Sequence, residues 1–188
     1  MKKIGITGSI SSGKTTVSKI LSVGKGPFFS ADLVVKKLYQ KKSFKKKILK
    51  KFKFRNTKNI KKSLKQKILE NKNNLKIMEK IIHPIVRDEM KKFIKRNKKK
   101  NFIFLEIPLL IESKLMKNFD KIIFVKASKS IRLKRFKKKG GSKELFTMLN
   151  KKQLSDARKI KYCDHIIVNE KNKKTLKKNL LDILKLYE

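Results

Sequence analysis

Apolar positions along the chain switch between two spacings, and the switches mark its elements. Residues 3–7, with Ile4 and Ile6, read as a short strand that runs into a glycine-containing loop. Val17, Ile20 and Leu21 then recur as on one face of a helix, which Gly24, Gly26 and Pro27 stop. A second short strand is expected over 27–30, and Asp32 opens a helix to about Tyr39. Over 41–74 apolar residues are sparse among lysines, yet Ile60, Leu64 and Ile68 fall four apart, as on one side of a helix. Leu75, Met78, Ile81, Ile82, Ile85, Met90 and Phe93 continue the helical spacing, with Pro84 expected to start or kink a helix. Residues 102–107 give the clearest buried strand, ended by Pro108, and 121–125 another. A basic helix over 131–139 meets Gly140-Gly141, and a second helix is expected over roughly 143–158. Residues 165–168 form the last strand; Leu176, Leu180, Leu181 and Leu184 mark a closing amphipathic helix.

Five strands separated by helices predict an α/β fold with a parallel sheet covered on both faces. The lysine-rich region between the second and third strands is the expected place for a substrate lobe.

The formal charge of +41 invites a nucleic-acid reading. Lysine supplies most of it and is spread along the chain. Lys, Asn, Ile and Phe are abundant together, as in a genome rich in A/T codons. No specific nucleic-acid partner is therefore expected, and no aromatic-basic recognition motif is present. The single cysteine, Cys163, excludes an internal disulfide, fits a reducing cytoplasm and reads as a small buried residue. The chain starts directly on a strand without a secretion signal, and no apolar stretch is long enough to span a bilayer. Cytoplasmic location without membrane association is the expectation.

Chemistry concentrates in Gly8-Ser9-Ile10-Ser11-Ser12-Gly13-Lys14-Thr15, which fits G-x-x-x-x-G-K-[ST] at every fixed position. Its glycines let successive N–H groups turn toward phosphate oxygens, and the next helix aims its positive end at the same anion. Lys14 places a charge on the terminal phosphates, and the Thr15 hydroxyl is a ligand for Mg²⁺. The context of strand before and helix after is that of a P-loop. The chain lacks D-x-x-G, and Asn150-Lys151-Lys152-Gln153 lacks the terminal Asp of a guanine reader, which disfavours a GTPase. A motor or helicase needs a longer chain. A small-molecule kinase remains, since phosphoryl transfer needs mostly positioning and charge neutralisation.

Asp32, just past the second strand, is either a base for the acceptor hydroxyl or a helix N-cap. Glu106 and Glu112 flank Pro108-Leu109-Leu110-Ile111 and either face a metal or solubilise a loop, the latter favoured for Glu112. Arg132, Lys134, Arg135, Lys137, Lys138 and Lys139 form either a mobile cationic lid or a solvated charge run. His83 before Pro84 either touches substrate or begins a helix.

Together these segments resemble the dephospho-CoA kinase family nearly end to end. The resemblance rests on Gly5-Ile6-Thr7-Gly8 leading to Ser12-Gly13-Lys14-Thr15-Thr16, Ala31-Asp32, and Ile82-His83-Pro84-Ile85-Val86. It continues through Pro108-Leu109-Leu110-Ile111-Glu112, Leu133-Lys134-Arg135, Gln153, Arg158 and Asp164-His165-Ile166-Ile167-Val168-Asn169. It implies a P-loop fold like that of nucleoside-monophosphate kinases, with a helical lobe over about 36–100 and a lid over about 132–160. The implied reaction moves the ATP γ-phosphate to the ribose 3′-hydroxyl of dephospho-CoA, with Mg²⁺, in a monomer or weak homo-oligomer. Residues 8–16 and Asn169 would hold the nucleotide, with Asn169 where the last strand meets the adenine pocket. Asp32, Lys14 and Arg135 would be catalytic. Asp32, His83, Pro108 and Leu109 would meet the acceptor. The sequence departs from the family pattern at Ser30, where an acid is usual, and at Lys139-Gly140, in place of Arg-Asp. It departs also at Ser11, where a glycine is frequent, so the backbone there must avoid positive φ or tolerate strain.

Overall fold

The structure, a computed structural model, describes residues 1–54, 59–71 and 73–187. Residues 55–58 and 72 of the lysine-rich stretch lie outside the described residues. Five parallel strands form one sheet in the order β2-β3-β1-β4-β5. They are β1 (Lys2–Thr7), β2 (Phe28–Ser30), β3 (Phe102–Glu106), β4 (Lys121–Lys126) and β5 (His165–Val168). β1 is central, pairing Ile4 with Phe104 on one side and Lys121 on the other. The order reverses there, so the crevice beyond its carboxyl end is the ligand position in open sheets of this kind.

The chain divides into two compact units. Residues 1–30 and 94–188 form the sheet unit, and residues 31–93 form a helical unit. In the sheet unit, α1 (Lys14–Ser22) and α9 (Lys173–Lys185) pack through Val17, Leu21, Leu176, Leu180 and Leu184 on Ile4, Ile6, Phe104, Ile123 and Val125. Each such buried aliphatic chain is worth about 1.5–3 kcal/mol relative to exposure. Leu181 falls off this stripe and is exposed.

The helical unit holds α2 (Ala31–Leu38), α3 (Lys42–Lys51), α4 (Ile60–Glu70) and most of α5 (Asn73–Arg96). Leu38, Phe44, Ile48, Phe52, Leu64 and Met78 make its core, and most of the described lysines between them are exposed. The helices are continuous where apolar residues recur, and Pro84 does not begin a new one. It lies inside α5, whose apolar side chains on both flanks hold the helix through the missing N–H.

The expected helix over 143–158 is two helices, α7 (Lys143–Lys152) and α8 (Asp156–Ile160), after α6 (Lys129–Lys138). The Ser155 hydroxyl caps α8 by accepting from Arg158 N, 3.3 Å away. Leu154 N is diverted to Glu112 Oε1 at 3.1 Å, so the helical ladder stops there. Cys163 is half-buried, not enclosed, and its Sγ donates to Lys159 O. Burial pushes its thiol up to about 12, which leaves it unreactive. Among the described residues no helix is long and apolar enough to cross a membrane.

Candidate active site

The loop between β1 and α1 is shaped by glycines at two positions. Gly8 has φ 146, and a Cβ there would lie 2.4 Å from Val125 O on the neighbouring strand. Gly13 has φ 97, and its Cβ would lie 2.0 Å from Asn169 Nδ2. Ser11 adopts φ 58, so the chain accepts the left-handed strain, costing about 1–2 kcal/mol for a residue with a Cβ.

Side chains fix the peptide planes between these glycines. Lys14, buried, donates from Nζ to Gly8 O at 3.1 Å and Ser9 O at 3.0 Å. Ser12 O accepts from Asn169 Nδ2 at 2.8 Å and from Arg135 Nη1 at 3.2 Å. In a trans peptide the carbonyl and the next N–H point in opposite directions. Holding Ser12 O against Asn169 and Arg135 therefore turns the Gly13 N–H away from those two side chains. Arg135 Nη2 also donates to Asn169 O at 2.9 Å, which ties α6 to the end of β5.

Glu106 ends β3 and is buried; its Oε1 accepts from Thr15 Oγ1 at 2.8 Å. Ser30, also buried, pairs with Glu106 in register on β2. The position usually acidic in the resemblance thus sits beside a carboxylate already in place. Pro108 O accepts from Thr7 Oγ1 at 3.2 Å, which pins the segment after β3 to the end of β1. Leu109 follows, half-buried.

Glu112 does not solubilise a loop. Its Oε1 lies 2.7 Å from Lys159 Nζ, a lysine with no exposed side-chain surface, and accepts from Leu154 N. Lys159 has no exposed surface, so its charge needs a fixed counter-charge. Arg132 is likewise buried and is not a solvated charge. Its Nη1 donates to Asn150 Oδ1 at 2.7 Å and its guanidinium covers the Phe146 ring. Burial pushes that guanidinium down from its ordinary value, with Asp156 opposing. Lys134, Lys137, Lys138 and Lys139 are exposed.

The sheet unit thus brings together residues 8–16, Glu106, Arg135 and Asn169. In the helical unit, α2 begins at Ala31, so Asp32 is exposed within the first turn and is not the cap. His83 is half-buried inside α5 and begins no helix. Burial lowers its pKa, with Glu79 opposing and Arg87 adding to the shift.

The dephospho-CoA kinase profile matches residues 2–175. The chain belongs to the dephospho-CoA kinase family. It is 35% identical over 190 residues to the dephospho-CoA kinase of Bartonella henselae, covering 98% of this chain and 97% of that one. A crystal structure from Thermus thermophilus superposes with TM-score 0.77 at 25% identity, covering 100% of this chain and 98% of that one. Dephospho-CoA kinase from Campylobacter jejuni superposes with TM-score 0.65 at 25% identity, covering 98% and 96%. The expected P-loop kinase fold is therefore the observed one, and the family is that of an ATP-dependent kinase.

Sequence reasoning named Gln153 without a role and overlooked Asp156 and Lys159 near this loop. Ile10 N donates to Gln153 Oε1 at 2.8 Å, and Ser9 Oγ donates to Asp156 Oδ1. The buried Lys159 was hidden among 55 Lys and Arg residues. Only the Ser155-Asp156 pair, a helix-start signal inside an apparently continuous helix, pointed to this break.

Proposed function

We propose that this chain transfers the γ-phosphate of ATP to the ribose 3′-hydroxyl of dephospho-CoA, giving coenzyme A and ADP, the final step of coenzyme A biosynthesis. The observation that supports the reading most directly is the grip of Asn169 and Arg135 on Ser12 O, which would leave the Gly13 N–H for a phosphate in the loop.

Residues 8–16 hold the triphosphate through backbone N–H groups and the N-terminal end of α1. Lys14 Nζ leaves the Gly8 and Ser9 carbonyls for the terminal phosphates, a short swing from a position already inside the loop. Arg135 has five N–H donors, and those beyond its loop contacts are available to the developing charge. Asn169 borders the adenine side. Thr15 Oγ1 and Glu106 Oε1, 2.8 Å apart, are hard oxygens of the kind Mg²⁺ takes alongside phosphate and water, so the pair fits that ion. When bound, Mg²⁺ neutralises charge on the phosphates.

Asp32, two residues past the end of β2, is the proposed base that accepts the 3′-hydroxyl proton as the oxygen attacks phosphorus. His83, Pro108 and Leu109 meet the acceptor, the helical region over about 36–100 receives it, and residues 132–160 act as a lid. On this reading the chain works in the cytoplasm as a monomer or weak homo-oligomer, with no specific nucleic-acid partner.

The test is ADP release with Mg-ATP across dephospho-CoA, nucleoside monophosphates and shikimate. Turnover is expected with dephospho-CoA alone. Folded protein that ignores dephospho-CoA but phosphorylates another acceptor ends the proposal.

A further inference from the structure

The 9–10 peptide of the P-loop is gripped from both sides. On the inside, Ser9 O accepts from Lys14 Nζ at 3.0 Å and from Ser12 N at 3.1 Å. On the outside, Ile10 N donates to Gln153 Oε1, and the preceding Ser9 hydroxyl donates to Asp156. The next residue is Ser11, held at φ 58 without the freedom of a glycine. Gln153 and Asp156 sit either side of the break between α7 and α8, and that break is set by Glu112, which takes Leu154 N and pairs with Lys159.

We propose that Gln153 is a positioning residue for ATP: it braces the 9–10 peptide from outside and so keeps Ser11 in the left-handed conformation that the phosphate-binding loop requires. Glu112 and Lys159 anchor the brace. The inference rests on the kinase reading above, because it assigns the braced loop to ATP. Ile10 N–H is spent outward on Gln153, so the brace leaves the loop's inward donors to the ligand. A glycine at position 11 adopts positive φ unaided, so the serine in this chain makes the brace matter more.

The test is calorimetric titration of Mg-ATP into the whole chain and into Gln153→Ala, Ser11→Gly and the double variant. Gln153 is half-buried at the end of α7, and its truncation leaves the core intact. Losing one hydrogen bond at the loop is expected to raise the ATP Kd about threefold to tenfold. The penalty should shrink when Ser11→Gly is already present, and KM for dephospho-CoA should stay unchanged. An unaltered ATP Kd in Gln153→Ala overturns the brace. So does an equal penalty in both backgrounds, or a rise in acceptor KM with ATP binding unaffected. Unsubstituted protein that takes up no Mg-ATP overturns the kinase reading itself, a result distinct from each of these.

Discussion

The two compact units bury different kinds of side chain. Among the described residues, Thr7, Ser9, Ser12, Lys14, Ser18, Ser30, Glu106, Arg132, Lys159 and Asn169 are buried and polar, and all belong to the sheet unit. Among its described residues the helical unit buries Ala31, Leu38, Phe44, Ile48, Phe52, Leu64, Met78 and Met90, all apolar. An enclosed polar group costs free energy unless its partner is placed well, so it ties a position to one neighbour. Apolar cores tolerate exchange of shape and volume more freely. Precision is therefore concentrated around the P-loop, while the helical unit needs only correct patterning inside and whatever its surface presents.

Lys14→Ala is the harshest way to break that contrast. It removes both the charge assigned to the transferring phosphate and the internal tie to the Gly8 and Ser9 carbonyls. We expect kcat/KM to fall by roughly 10³–10⁵-fold, on the scale of losing a cation at a transferring phosphoryl group. A steady-state assay with purified, folded protein checks it; a fall of less than tenfold would move the phosphate contact elsewhere.

Asp32 sharpens the comparison from the other side, since it is an exposed group through which the helical unit would join the chemistry. Asp32→Asn should lower kcat by roughly 10²–10⁴-fold while leaving Mg-ATP affinity unchanged. A near-normal kcat would reduce Asp32 to a favourable charge in the first turn of α2.

Next in size is the apolar core itself. Ile48 has no exposed surface, and Ile48→Ala should destabilise the protein by about 2–5 kcal/mol, read by urea unfolding. Ile48→Val should cost only about 0.5–1.5 kcal/mol, as expected where volume and not a specific partner is at stake. Equal costs would show a tighter fit than patterning alone demands.

The same contrast decides what could be read from sequence. Residues 8–15 were legible because phosphate binding restricts residue types at fixed spacing, and the strand at 102–106 because burial in the sheet favours an unbroken apolar run. Asp32 and His83 carried meaning only through the family resemblance, since each position also admits a local role in its helix. Glu112 and Lys159 were illegible for a different reason. Forty-seven residues separate them, and nothing local distinguishes a lysine destined for burial from its solvated neighbours. The break between α7 and α8 followed from that distant pair, which is why helical periodicity ran past it.

The smallest expected effect tests whether the helical unit is as free of polar constraint as its core composition says. His83 is half-buried in α5, and burial holds its pKa below the ordinary value near 6.5. Glu79 pulls it back up and Arg87 presses it down further, so desolvation is the leading cause. In the unfolded chain the imidazole takes a proton as pH falls through about 6.5, whereas in the fold it waits for a lower pH. Between those two values the unfolded state binds more protons, so stability falls as pH falls, and the loss stops once the folded histidine is also charged. Urea unfolding at about pH 7.5 and 5.5 should show a larger acid loss for the unsubstituted chain than for His83→Gln, whose side chain does not titrate. The difference is expected to be slight because water still reaches the ring. Identical acid losses would mean that the ring titrates as freely as in the unfolded chain, and that the helical unit imposes no constraint on the one imidazole it carries.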